Sequence, residues 1–192
     1  MIEPAYADDL LRENERLASL YVAASQLHST LDPFEVQQII VEILLNFVGA
    51  KVFALLAPDD DGHLSPLITE GIAQEDVPRR EMGTAGGLIG DIFAGSPAHV
   101  AAQPTPARTV DREPLVVIPL RVRLAGRPHV VAVIAVWEFL QQKTELHEVD
   151  TELFTLLSES AGVALEAALC AEKTGGGPHV HARTGTKREE SP

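Results

Sequence analysis

The chain has 192 residues, 45% of them hydrophobic, and carries 28 acidic against 15 basic side chains, a formal net charge of −13. That balance disfavours nucleic acid and anionic membrane surfaces as partners, because both select clustered Lys and Arg. No stretch approaches about 18 consecutive apolar residues, so no membrane span is expected, and the single cysteine, Cys170, excludes an internal disulfide.

The first residues, MIEPAYADDLLRENER, are acidic and lack a signal-peptide pattern, so cytoplasmic residence is expected. The length suits one domain with terminal additions: a helix over residues 1–30, a domain over 31–172 and a disordered, Gly-rich, charged tail over 173–192. From Asp8 to about Thr30 there is no Gly or Pro. Leu10, Asn14, Leu17, Tyr21, Ala24, His28 and Leu31 follow at alternating steps of four and three. This is a heptad seam, with Asn14 where one polar residue can fix register. Leu20 and Leu27 lie beside it. The pattern fits either a coiled coil or an amphipathic helix lying on its own domain.

Asp32-Pro33-Phe34-Glu35 is a helix start, with Asp32 as cap and Pro33 at the first helical position. Phe34, Ile39, Ile40, Ile43, Leu44 and Phe47 recur at helical spacing and predict a core-facing helix closed by Gly49. Strands are predicted at Lys51–Ala57 and Leu64–Thr69. Asp59-Asp60-Asp61-Gly62 between them reads as a turn, since the spacing of a calcium loop is absent.

From Gly71 to Pro114 the chain becomes rich in Gly, Pro, Ala and charge. Within it, Thr84–Phe93 predicts a short helix capped by Thr84 and ended at Gly95. Its glycines do not form a dinucleotide fingerprint. Arg112–Phe139 then predicts a hairpin turning at Ala125-Gly126-Arg127-Pro128. Leu120, Val122 and Leu124 alternate with Arg121 and Arg123, whereas Val130–Trp137 is apolar on both faces and belongs in the middle of a sheet. Pro119 inside the first of these strands predicts an edge or a bulge. Thr144 is read as the cap of a closing helix reaching about Glu172, whose second half, with Ala161, Ala164 and Ala168, is small enough for another helix to approach closely.

This order of elements, with Leu31-Asp32-Pro33, Gly86-Gly87-Leu88-Ile89-Gly90, Val117-Ile118-Pro119-Leu120 and the closing Leu153–Leu169 helix, resembles the GAF domain family over roughly Leu17 to Glu172. The resemblance implies an α+β fold of the GAF/PAS type. A central antiparallel sheet would carry the N- and C-terminal helices on one face and a loop with a short helix on the other. It also implies a ligand pocket under that loop, for which Phe53, Leu55, Thr84, Ile89, Phe93, Ile118 and Trp137 are the candidates, and a homodimer through terminal helices, for which Leu10, Asn14, Leu17, Tyr21, Ala161, Ala164, Leu165 and Ala168 are the candidates.

Departures from better-known members narrow the function. The Trp137–Phe154 region lacks the Asn-Lys, Phe and Asp-Glu signature of cyclic-nucleotide binders, and Cys170 stands apart from the pocket where bilin-binding and sulfoxide-reducing relatives need cysteines. His99 and His129 read as surface histidines, and His179 and His181 lie in the tail. No base–nucleophile pair, metal motif or phosphate loop is present. The expectation is a non-catalytic regulatory module of bacterial-type signalling, without cofactor or metal, acting through a protein partner with or without a small ligand. A nucleotide or metabolite sensor with its pocket under residues 71–114 is the alternative, and an enzyme the remote one.

Overall fold

A strand that is apolar on both faces over Val130–Trp137 has to be covered on both sides, and the architecture follows from that requirement. The computed structural model describes residues 14, 18, 20–103 and 108–175. Six strands, β1 (Ala50–Pro58), β2 (His63–Glu70), β3 (Arg80–Glu81), β4 (His99–Val100), β5 (Val116–Leu124) and β6 (Arg127–Phe139), form one antiparallel sheet in the order β3-β2-β1-β6-β5-β4. The apolar strand β6 is central, as its composition predicts. Its hairpin with β5 is tighter than expected. Only Ala125 and Gly126 turn, both with positive φ (49° and 77°), and Leu124 pairs with Arg127. Two consecutive positive φ values match the right-handed strand twist.

Residue parity sorts the side chains into two cores. Phe53, Leu55, Ile118, Leu120, Ile134 and Val136 project to one face, where they meet the helices. These are α1 (residues 20–27), α2 (Pro33–Ile43) with a π-helical turn at Leu44–Val48, α4 (Glu148–Leu156) with a π-helical turn at Leu157–Ala161, and α5 (Gly162–Gly175). Ala54, Leu56, Val117, Val133, Ala135 and Trp137 project to the other face, under α3 (Gly87–Phe93) and the loops around it.

Local chemistry sets the ends of these elements. Asp32 Oδ1 accepts from the backbone N–H of Phe34 (2.8 Å) and Glu35 (3.2 Å), and Gly49 closes the helix at φ 74°. Phe34 departs from its predicted inward position. At the second helical residue it is 66% exposed, beside the equally exposed Leu31. α3 is preceded by a 3₁₀ turn at Thr84–Gly86 and receives no side-chain cap, so Thr84 is exposed and caps nothing. Gly86 and Gly90 are there for space. A Cβ on either would strike the backbone carbonyl of Glu81, at 1.8 and 2.6 Å. The closing helix starts at Glu148 rather than after Thr144. Asp150, fully buried, accepts from the His147 backbone N–H (2.7 Å) and from Lys143 Nζ (2.6 Å), which anchors the first turn.

Glu148–Thr174 is long and apolar enough to cross a membrane by length and composition, which a search for an uninterrupted apolar run misses. Half of its most apolar stretch is buried in this domain against the sheet. The described part of α1 shares the same core through Ala23 and Leu27. Leu10, Leu17 and the segment from residue 176 onward, with His179 and His181, lie outside the described residues.

Candidate functional site

The seven pocket candidates do not come together. Phe53, Leu55 and Ile118 face the helices, on the opposite side of the sheet from Ile89, Phe93 and Trp137. The pairing registers explain the division. Phe53 stands opposite Val136, and Ile118 opposite Ile134, so both share the even-numbered face of β6, whereas Trp137 is odd. Thr84 is exposed and joins neither group.

Among the described residues the loop-covered face is packed. Trp137 is fully buried, and its Nε1–H donates to the Arg112 carbonyl (3.0 Å) while its own carbonyl accepts from the Arg108 N–H (2.9 Å). The Arg80 guanidinium donates to the Val110 carbonyl (3.0 Å) and ties the same loop to β3. Between Arg80, Gly86–Ile89 and Asp111–Pro114 there remains a crevice of about 80 Å³. A pocket for a drug-sized ligand needs roughly 300 Å³ or more.

A larger space lies elsewhere. A cleft of about 410 Å³ opens at the β5–β6 hairpin end, between Arg121, Val122, Arg123 and Pro128 on the strands and Ser158, Glu159 and Val163 on the closing helix. The local sequence builds it. β4 pairs with β5 only at Val116 and Val117, so among the described residues the rest of that edge has no strand neighbour and the closing helix covers it instead. Ser158 Oγ donates to the Pro119 carbonyl (2.6 Å). In an antiparallel strand the N and C=O of one residue point the same way, so Pro119's missing N–H falls on this edge, where no ladder bond is lost. One turn further on, Gly162 lies so close to Arg121 that a Cβ would sit 2.4 Å from its carbonyl oxygen. Beyond that contact strand and helix part, and the cleft begins.

The dimer candidates separate likewise. Ala161, Ala164, Leu165 and Ala168 are at most 4% exposed within this single chain, so they serve its own core. Small side chains allow close approach, and here the neighbours belong to the same chain: Gly162 meets the β5 backbone, and α2 packs against α5. The exposed side of α5 carries Val163, Ala167 and Cys170 instead. On α1 the seam is open. Leu20, Ala23 and Leu27 pack inward, while Tyr21 is 75% exposed and Asn14, His28 and Leu31 are exposed with it.

The perturbed titrating groups belong to turns. The Asp59 carboxylate is held well below the usual range, first by the Ser65 hydroxyl, then by the His63 N–H (3.0 Å) and by Arg79. Arg79 is raised by its bonds to Asp61 and Asp59, and Asp111 is lowered mainly by Thr109. Among the described residues, no three His, Cys, Asp or Glu side chains converge as a metal site. His99 lies in β4 and His129 in β6, opposite Val122.

No curated protein matches the chain in sequence. Solved structures match in fold. A methyl-accepting chemotaxis protein fragment, residues 122 to 287, gives a TM-score of 0.56 at 20% identity, over 78% of this chain and 98% of that one. The GAF domain of a phosphoenolpyruvate-protein phosphotransferase from Coxiella burnetii gives 0.56 at 16% identity, over 83% and 96%. The free methionine-R-sulfoxide reductase from Neisseria meningitidis, in complex with its substrate, gives 0.52 at 18% identity, over 81% and 91%. The GAF domain family model matches residues 30–166. With its curled six-stranded sheet and these matches, the chain belongs to the GAF domain family, the sensory and regulatory modules of signalling proteins.

Proposed function

We propose that this chain is a non-catalytic GAF-type regulatory module of bacterial-type signalling, which pairs with a second copy of itself and acts through a protein partner. The observation that carries the reading is the division of α1 into two stripes. Leu20, Ala23 and Leu27 are spent on the domain core, and the heptad positions Asn14, Tyr21, His28 and Leu31 are left facing outward. An aromatic ring at 75% exposure on a heptad seam is what a partner helix covers. The contribution of the closing helix to pairing is limited to its outward side, since its small residues are already buried. A cytoplasmic setting is part of the same reading, in keeping with one exposed, unpaired thiol at Cys170.

The packed sheet face supports interaction over small-molecule sensing under the 71–114 loop, because a ligand there would have to displace Ile89 or Trp137. The absence of catalysis in this reading is supported by the placement of the perturbed groups, which lie in turns with their shifts accounted for by local hydrogen bonds.

Light scattering coupled to size-exclusion chromatography tests the pairing. A particle of twice the 20.7 kDa chain mass is expected at micromolar concentration. Tyr21→Glu is expected to weaken association at least about tenfold, since burying an aromatic side chain contributes about 1.5–3 kcal/mol and 1.4 kcal/mol is a factor of ten. A single-chain mass for the unaltered protein would overturn the pairing.

A further inference from the structure

We infer that the free end of the β5–β6 hairpin docks an acidic segment of a partner protein, an extended stretch with carboxylates at alternate positions. This rests on the reading that the chain acts through a protein partner, and it assigns where that partner is met. The hairpin projects beyond the rest of the sheet. β1 pairs with β6 no further than Val133, opposite Leu56, so among the described residues positions 127–132 of β6 have β5 as their only strand neighbour. That stretch makes a two-stranded ribbon about 20 Å long. Every residue from Arg123 to His129 is exposed.

The ribbon is basic within an acidic chain. It holds Arg121, Arg123, Arg127 and His129, and no Asp or Glu occurs between Glu113 and Glu138. The register sorts these side chains. Arg121 stands opposite Val130 and Arg123 opposite Pro128, so this group shares the face on which α3 lies, whereas Arg127 and His129 project to the other face. Arg121 spends Nη2 on the Ser96 carbonyl (3.1 Å), and Arg123 makes no hydrogen bond or ion pair among the described residues. Glu159, which lines the neighbouring cleft, pairs with none of these arginines among the described residues.

Two guanidiniums at alternate positions of one strand face lie about 7 Å apart along it, which is also the spacing of alternate carboxylates on an extended segment. Guanidinium and carboxylate then meet through paired, charge-assisted hydrogen bonds. The rest of the chain selects what fits. With a net charge of −13, a long polyanion or an anionic membrane would reach beyond the ribbon and meet acidic surface, whereas a short acidic segment stays on it. At physiological ionic strength charges more than about 8 Å away are screened, so the ribbon acts locally. The positive φ values of Ala125 and Gly126 set the turn in advance, which lowers the ordering cost of binding.

The experiment is fluorescence anisotropy of the whole chain with a labelled peptide of alternating Glu and Val, beside its Lys and Val counterpart and an oligo-uridylate. The acidic peptide is expected to bind, more tightly at low salt, and the basic one not to bind. Arg123→Glu is expected to weaken binding at least about tenfold and Arg123→Gln to weaken it less. Lys173→Glu, near the other end of α5, is expected to leave it unchanged, and all these exposed positions should keep the parent's melting temperature. Three results would overturn the inference: no binding of the acidic peptide at about 1 mM, equal binding of the basic one, or binding undiminished in both Arg123 variants. Oligo-uridylate bound as tightly as the acidic peptide would overturn it too, making the ribbon a nucleic-acid site. Without binding, the arginines serve only to keep an exposed strand edge from pairing. The mass of the unaltered chain, which tests the pairing, is independent of every one of these outcomes.

Discussion

Replacing Gly162 with alanine tests how the closing helix meets the sheet, because local and tertiary physics predict opposite signs. Gly162 has ordinary helical dihedrals (φ −59°), so on helix propensity alone alanine would stabilise by about 1 kcal/mol. The structure forbids that gain. The new Cβ would lie 2.4 Å from the Arg121 carbonyl oxygen and 2.6 Å from its nitrogen, where ordinary contact begins at 3.4 Å. Both obstacles are backbone of a strand held by its β6 ladder, so the helix must withdraw by about 1 Å, and overpacking of this kind costs about 1–3 kcal/mol. Withdrawal also lengthens the 2.6 Å Ser158–Pro119 hydrogen bond, a loss of about 1 kcal/mol. Set against the propensity gain, the net expectation is a destabilisation of about 2 kcal/mol. For a chain of this size that lowers the melting temperature by about 4–8 °C.

Urea unfolding followed by circular dichroism measures it, with the midpoint falling and the slope unchanged. Ser158→Ala removes the same tie from the helix side. Since the two residues share one contact, Gly162→Ala should cost less in that background than in the native one. A Gly162→Ala protein as stable as the parent would refute the claim that this helix rests directly on the β5 backbone.

Trp137→Phe should cost about 1–3 kcal/mol, because the Arg112 carbonyl loses its indole donor and the smaller ring leaves a void; unfolding by circular dichroism checks it, and no loss would mean the loop does not depend on this bond. Asp150→Ala should destabilise by about 3–5 kcal/mol by stranding Lys143, whose side chain is 17% exposed, and a cost under about 1 kcal/mol in urea titrations would contradict the anchoring role. The folded pKa of Asp59 is depressed, so its stabilising effect is present above the unfolded value of about 3.9 and fades as pH falls below it. The stability difference between the parent and Asp59→Asn should therefore be constant above about pH 5 and shrink under acid, and a difference that does not move with pH would reject the assignment.

Much of the fold was legible in the chain because the signals are local. The run Val130–Trp137 declares a central strand by having no polar face, and Asp32-Pro33 declares a helix start by offering an acceptor and a residue that needs no donor. The candidate pocket was less legible. Apolar residues near the hairpin were grouped together although alternation along β6 already puts Val136 and Trp137 on opposite faces. Counting parity from Trp137 would have separated Ile134 from it, and the strand pairing then separates Ile118 and Phe53 too. Thr144 is a good cap in isolation, whereas the fully buried Asp150 and its Lys143 partner hold the first turn of the closing helix three residues later than a cap at Thr144 allows.

Composition and periodicity alone determined the four long strands, the helices, their order, the centrality of β6 and the heptad seam of the first helix, since each depends on neighbours along the chain, whereas the two-residue strands β3 and β4 carry no such signal. Tertiary structure alone decided what Gly162 of the closing helix touches, on which face of the sheet each pocket candidate lies and where a cleft is left. Those outcomes depend on register and on which edge lacks a strand. A glycine says only that something comes near; the short β4, ending its pairing at Val117, is what made that something the backbone of β5 at Gly162.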